Sequence, residues 1–164
     1  MDAVYPHLEN NITLSQQLTL TCTMFEQFTR LHGCVFANAL KDSLPDQDKE
    51  IFMKSNVLFP YTMFCVDKKV LGAWLSYTTS IIDKMSKTLC ITDRKSCEDF
   101  INSDKCDCLK PVEGRNNTVD YQSRIFCFAT EILSSIFWQK FVLNNNGYTV
   151  YYNNVELLDQ NQHI

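Results

Sequence analysis

Any chemistry in this chain has to come from its thiols and its few imidazoles. Eight Cys and three His occur in 164 residues. Four of the thiols, Cys90, Cys97, Cys106 and Cys108, fall in one stretch and have the character of zinc ligands. A structural zinc site takes paired Cys roughly two to four residues apart at both ends. Cys106-Asp-Cys108 has a one-residue spacer, which brings both sulfurs to one tetrahedral ion only awkwardly. A disulfide under oxidising conditions is the second reading. Exposed thiols with no structural role are the simplest. His32 lies near Cys34, but residues two apart do not face each other on a helix, so a Cys/His nucleophile pair is not expected. His7 and His163 lie near the ends. No glycine-rich phosphate loop or metal-binding His pair occurs. The residues point to no enzyme, no metal and no cofactor.

What remains is binding, and composition narrows the partners. The formal net charge of −4 and the absence of a basic stripe argue against nucleic acid. Hydrophobic residues make up 45% of the chain, enough for one domain with a real core. No apolar run follows a basic start in Met1–Gln16, so no secretory signal is expected. No apolar stretch of about 18 residues is seen either, so no integral membrane segment is expected. The segment Glu156–Ile164 is polar. A reducing, cytoplasmic location and free thiols follow. Cys22, Cys34, Cys65 and Cys127 sit among apolar residues and read as small core residues. The glycosylation patterns at Asn11 and Asn116 read as chance matches.

Such thiols and aromatics need elements to position them. With only 4 Gly and 4 Pro, turns are few and long helices are favoured. Turn signals at the spacing of an all-β sandwich are absent. From Thr13 to Leu40, Leu18, Phe25, Phe28, Leu31, Val35, Phe36 and Ala39 recur at helical spacing, with Gly33 as a break. Asp46 or Asp48 is placed to cap a helix carrying Ile51, Phe52, Val57, Leu58 and Phe59 and stopping before Pro60. Asp67 is placed to cap the next, with Leu71, Trp74, Leu75, Thr78, Ile81, Ile82 and Met85. No charge occurs between Val70 and Ile82, which suits a helix buried in the middle of a bundle. Residues 83–124 carry eight charges of each sign, and read as a solvated, Cys-rich insertion with one short helix near 97–103. It is expected to contribute little to the core and to be dispensable for folding. Residues 121–143 form another helix, ended by Asn144-Asn-Asn-Gly147. Tyr148, Val150 and Tyr152 alternate as in a strand.

Two stretches carry a resemblance. Leu71-Gly-Ala-Trp-Leu-Ser-Tyr-Thr-Thr79 is similar to the apolar run of the first homology region in the Bcl-2 family of apoptosis regulators. Ala73, Ser76 and Tyr77 fall on matching or near-matching types. The family's preceding Asn-Trp-Gly-Arg is replaced by Asp67-Lys-Lys-Val70. Phe141, Asn145-Asn-Gly-Tyr148 and Tyr151 keep the spacing of the second region, with one Gly missing. Leu18-Thr-Leu-Thr-Cys-Thr-Met-Phe25 resembles the third region, with Thr23 in place of its Asp. Ile51–Phe59 resembles the helix before the first region. The resemblance covers about 15–82 and 119–156, and its divergence and low Gly content resemble virus-encoded members.

The resemblance implies an all-α, Bcl-2-like bundle of residues 1–164 around a buried central helix at Val70–Met85. It makes Tyr148–Val155 a short helix. It implies a hydrophobic surface groove that sequesters the amphipathic death-motif helix of pro-apoptotic relatives, and so an inhibitor of apoptosis, cytoplasmic or peripheral at mitochondria. Phe25, Phe28, Leu58, Phe59, Trp74 and Tyr77 are the candidates to line the groove, although for Trp74 core packing is the simpler reading. Lys68 or Lys69 stands near the place of the missing arginine, to meet a ligand's Asp. Gly147 and Tyr148 belong to the second region. A homodimer is a further partner to consider. The alternative function is a helical interaction module, such as a modulator of immune signalling, that binds a folded partner by another face.

Overall fold

Thr23 and Glu26 open the first helix by a reciprocal pair of bonds. The Glu26 amide donates to Thr23 Oγ1 at 3.2 Å and the Thr23 amide donates to the Glu26 carboxylate at 2.8 Å. In the computed structural model, which describes residues 11–60, 64–144 and 147–153, this box starts helix α1, Met24–His32. Gly33, at φ +90°, separates it from α2, Cys34–Ser43. Helix α3, Asp46–Lys54, follows Pro45. Asp67 caps α4, Lys68–Leu89, by accepting from the Val70 amide at 2.9 Å. Asp93 caps α5, Arg94–Ile101, and Thr118 caps the short α6, Val119–Gln122. The strongly apolar helix α7 spans Ile125–Leu143.

These helices form a multi-helix bundle in which the long α4 packs on both α2 and α7, and α1 and α3 close the remaining side. Short strands close one end. β1, Asn11–Ser15, lies between β4, Phe64–Cys65, which it pairs antiparallel, and β5, Thr149–Asn153, which it pairs in parallel. β2, Leu18–Thr19, pairs antiparallel with β3, Val57–Leu58. Phe28, Phe36, Phe52, Ile81, Met85 and Leu133 belong to the larger core cluster. Ile12 and Leu14 of β1 join Phe59, Val70 and Trp138 in a second.

Several expectations are corrected. Helix does not begin at Thr13: the Thr-rich 18–23 segment carries β2 and a turn, and the capping box sets the start at Met24. The segment that resembled a third homology region is therefore not one helix. Val57–Leu58 is strand rather than helix, and the helix before it ends at Lys54. Residues 149–153 are strand rather than helix, following their own alternation; 154 and 155 lie outside the described residues. Asp46 and Asp48 do not cap α3, whose N-cap is Pro45.

Asp48 is instead fully buried. Its carboxylate takes the Lys140 ammonium at 2.7 Å and the Tyr77 hydroxyl at 2.7 Å, tying α3 to α7 and α4. The helix α4 is central in its contacts but not buried all round. Val70, Thr78, Ile81, Met85 and Leu89 are buried, while Leu71 and Leu75 are exposed along with Gly72, Ser76 and Thr79. An uncharged face was a weaker sign of burial than its small and hydroxyl side chains were of exposure. Thr78 and Thr79 turn their hydroxyls back onto Trp74 and Leu75 carbonyls. The expected absence of a span-length apolar segment is also corrected: α7 is long and apolar enough by length and composition. In the bundle its Ile125, Ala129, Ile132, Leu133, Ile136 and Trp138 are buried.

The largest correction concerns residues 83–124. Ile91, Cys97, Ile101 and Cys108 are each at most 2% exposed and belong to the main core cluster. Gln122 is fully buried too. The thiols reverse their expected places: Cys34, Cys65 and Cys127 are exposed and Cys22 half-buried, whereas two of the insertion's four are buried. Most of the charges lie on the outer side of a segment whose inner side completes the core. Replacing Lys87–Asn117 by a short linker is therefore expected to abolish cooperative unfolding. Ile101→Ala is expected to cost about 2–5 kcal/mol in urea denaturation, as for a buried large-to-small change.

Candidate binding site

The C-terminal half of α1 and the N-terminal half of α7 enclose an open cavity of about 550 Å³. Phe28 and Leu31 of α1, Leu58 of β3, and Phe128 and Ile132 of α7 give it apolar walls. Phe28 and His32, and likewise Phe128 and Ile132, are four apart and so share a helix face. Gln27, Arg124 and Glu131 bring polar groups to the lining. Arg124 lies 5.5 Å from the Phe128 ring centroid, a cation–π placement that leaves its charge beside the opening. Across Arg124 and Cys127 a second cavity, of about 450 Å³, opens between α4, α5 and α7.

His32 is the polar residue built into the wall. It is 3% exposed, stacked on Phe128 at 4.4 Å and tilted against Phe28 at 4.8 Å. Its Nδ1 lies 2.9 Å from Gln122 Oε1. The Gln122 amide nitrogen already donates to the Leu31 carbonyl at 3.0 Å and to Asn116 O at 2.6 Å. Oε1 is therefore left to accept, and His32 Nδ1 carries the proton. Burial pushes the imidazole down to about 4, opposed by its bond to Gln122 Oε1 and helped by the Arg115 charge. At neutral pH the ring is an uncharged, aromatic part of the wall.

The end of α1 is held from outside. Arg115 donates to the Arg30 carbonyl through Nε at 2.7 Å and to the Thr29 carbonyl through Nη2 at 2.9 Å. The same guanidinium donates to Asp107 O at 2.9 Å. The Asp107 carboxylate accepts from the Cys34 amide at 2.9 Å and the Val35 amide at 3.2 Å. Burial pushes its carboxyl up, but those bonds outweigh it and hold the group below the ordinary range. The insertion thus satisfies the last carbonyls of α1 and the first amides of α2.

The candidate groove residues are divided among different places. Phe28 and Leu58 meet in the cavity. Phe25 packs edge-on to Phe52 at 5.5 Å, beneath Lys41. Phe59 is buried in the second cluster, its amide donating to Ser135 Oγ at 2.9 Å. Trp74 sits against Phe64 at 4.9 Å and donates to Ser134 Oγ at 3.1 Å, a packing role. Tyr77 is committed to Asp48, and burial, with that bond, pushes its hydroxyl well up. Lys68 and Lys69 are exposed on the first turn of α4. Ile82, at the second cavity, is about 20 Å further along that helix at the usual rise. Gly147 is exposed at φ +84°, and Tyr148 packs on Phe141 at 5.2 Å with its hydroxyl bonded to Asp67. Tyr148 fastens the end of α7 to the start of α4.

Leu31, His32, Arg124, Phe128 and Ile132 line the site without having been singled out for it. The four-residue spacings were the available signal. No protein-family model, no curated protein and no solved structure matches this chain.

The depressed imidazole makes stability depend on pH. Between about 4 and 6.5 the unfolded chain binds the proton and the folded one does not, so stability is full above about 6.5 and declines as pH falls toward 4. His32→Gln, which keeps a hydrogen-bonding group for Gln122, is expected to remove up to roughly 3 kcal/mol of that decline. Urea midpoints measured at several pH values for both proteins read the difference directly.

Proposed function

We propose that this protein is a non-enzymatic interaction module that receives apolar side chains of a partner protein in the α1–α7 cavity. The cavity itself carries the reading. Its walls are aromatic and aliphatic, its polar groups few, and Arg124 stands beside the opening, the composition of a site that takes an apolar anchor and fixes its orientation by charge. An amphipathic helix is the natural occupant, since it presents apolar residues on one face and charges beside them. Fixing two anchors at roughly 1.5–3 kcal/mol each supports a specific but reversible complex once ordering is subtracted.

The inhibition of apoptosis is the second reading, favoured by one observation: Phe28 and Leu58, both candidates for the death-motif groove, line this cavity. Phe59 and Trp74 are spent on packing and Tyr77 is bonded to Asp48, so the general module is the better supported of the two. On either reading Arg124, rather than Lys68 or Lys69, is the cation placed to meet an acidic ligand group at this cavity.

Two measurements separate the readings. A photo-crosslinking residue at Cys127, exposed at the cavity, is expected to capture a discrete partner in cells, and Phe128→Ala is expected to abolish capture. The same residue at Cys65, exposed on β4, serves as the control. Capture from both positions alike, or from neither, would contradict the module. A pro-death helix peptide is then titrated against the purified protein. Binding that weakens by roughly 1–3 kcal/mol in Arg124→Glu supports the apoptotic reading, and no binding eliminates it.

A further inference from the structure

The Cys106 and Cys108 sulfurs lie 3.2 Å apart across a hydrogen bond, with Cys106 half-buried and Cys108 fully buried. A disulfide needs about 2.05 Å, so only about 1 Å of approach separates the two sulfurs from a bond. Between them stands Asp107, whose carboxylate holds the Cys34 amide, the Val35 amide and the Cys34 thiol at 2.9, 3.2 and 3.1 Å. The fit there has no slack. A Cβ on Gly33 would meet Asp107 Oδ1 at 2.4 Å.

We infer that Cys106 and Cys108 form a redox-active dithiol, which exchanges with a low-molecular-weight disulfide and in closing its own S–S bond releases the cap that Asp107 places on α2. Cys106 is the attacking group. It is the more accessible of the pair, and the hydrogen bond between the two sulfurs holds its thiol below the ordinary range, while Cys108 is pushed up by the same bond and by burial. The Cys106 thiolate attacks one sulfur of the small disulfide, a mixed disulfide forms, and the first small thiol departs. Cys108 gives up its proton, its sulfur attacks Cys106 Sγ, and the second small thiol departs. Two electrons leave the protein dithiol and reduce one disulfide to two thiols. The new ring runs through the backbone of Asp107, so the carboxylate cannot keep all three of its bonds. The consequence reaches the corner at Gly33, one residue beyond His32 in the cavity wall.

The test uses glutathione disulfide on the whole protein, followed by trypsin and mass spectrometry. Cleavage after Lys105 and Arg115, with Pro111 protecting the Lys110 bond, yields a peptide whose only Cys are 106 and 108. The inference expects that peptide lighter by two hydrogen atoms. It also expects a lasting glutathione adduct at Cys106 in Cys108→Ser, and no adduct at Cys108 in Cys106→Ser. Hydrogen exchange at the Cys34 and Val35 amides is expected to rise roughly tenfold on oxidation. Recovery of the reduced peptide, separate adducts on both sulfurs, or a bond to Cys97 or Cys34 would overturn the dithiol. An S–S bond with unchanged exchange at Cys34 and Val35 would overturn its link to the α2 cap.

Discussion

Two helix ends meet at Gly33, and the structure depends on satisfying both. The last carbonyls of α1 and the first amides of α2 have no partners within their own helices. Gly33 is buried, so water is a poor substitute. Three charged or amide side chains from the insertion supply what is missing: Asp107 for the amides, and Arg115 and Gln122 for the Arg30 and Leu31 carbonyls, with Arg115 also donating to Thr29 O beside the Gly33 amide. Bonds to charged groups contribute about 1.5–3 kcal/mol each, and an unmet buried group costs about as much. The corner therefore has no stable form without the insertion, and the insertion has no fixed path without the corner.

The binding surface follows from that constraint. Once α1 is fixed at its C-terminal end, Phe28, Leu31 and His32 face α7 at a set distance, and the space between becomes a cavity with walls that hold their shape. Asp48 does a similar service at the other end of the bundle, drawing Lys140 and Tyr77 together inside the packing of α3, α4 and α7. Losing Lys140 would strand the buried Asp48 charge. The strands tie the remainder: β1 carries Ile12 and Leu14 into the second cluster and takes β5 alongside it, so residues far apart in the chain share one small sheet.

Much of the helical framework is written locally. Asp67 as a cap, Gly33 as a break, and α7 with its end at Asn144 follow from residue type and period alone. Thr23 and Glu26 also have capping-box spacing, which outweighs the apolar pattern before it. The alternation at 148–152 pointed correctly to strand, and the resemblance pulled the reading toward helix. What local pattern could not show is action at a distance. Asp107 and Arg115 are ordinary charged residues in a charged segment until they meet partners 73 and 85 positions away. The segment's balanced charge hid the buried apolar and thiol side chains on its inner side, Ile91, Cys97, Ile101 and Cys108 among them. In the same way Trp74 and Tyr77 look like groove residues until Ser134 and Asp48 are seen to occupy their polar ends.

The dependence of the corner on the insertion can be measured at one residue. Arg115→Met removes the guanidinium and keeps most of the aliphatic stem. Arg94→Met is the control, since Arg94 is exposed and paired with Glu98 and Asp120 on the surface. Chemical denaturation of the two variants should show a loss of about 2–4 kcal/mol for Arg115 and under about 1 kcal/mol for Arg94. Equal, small losses at both positions would mean that α1 and α2 hold their corner unaided, and the account of how the cavity is built would be wrong.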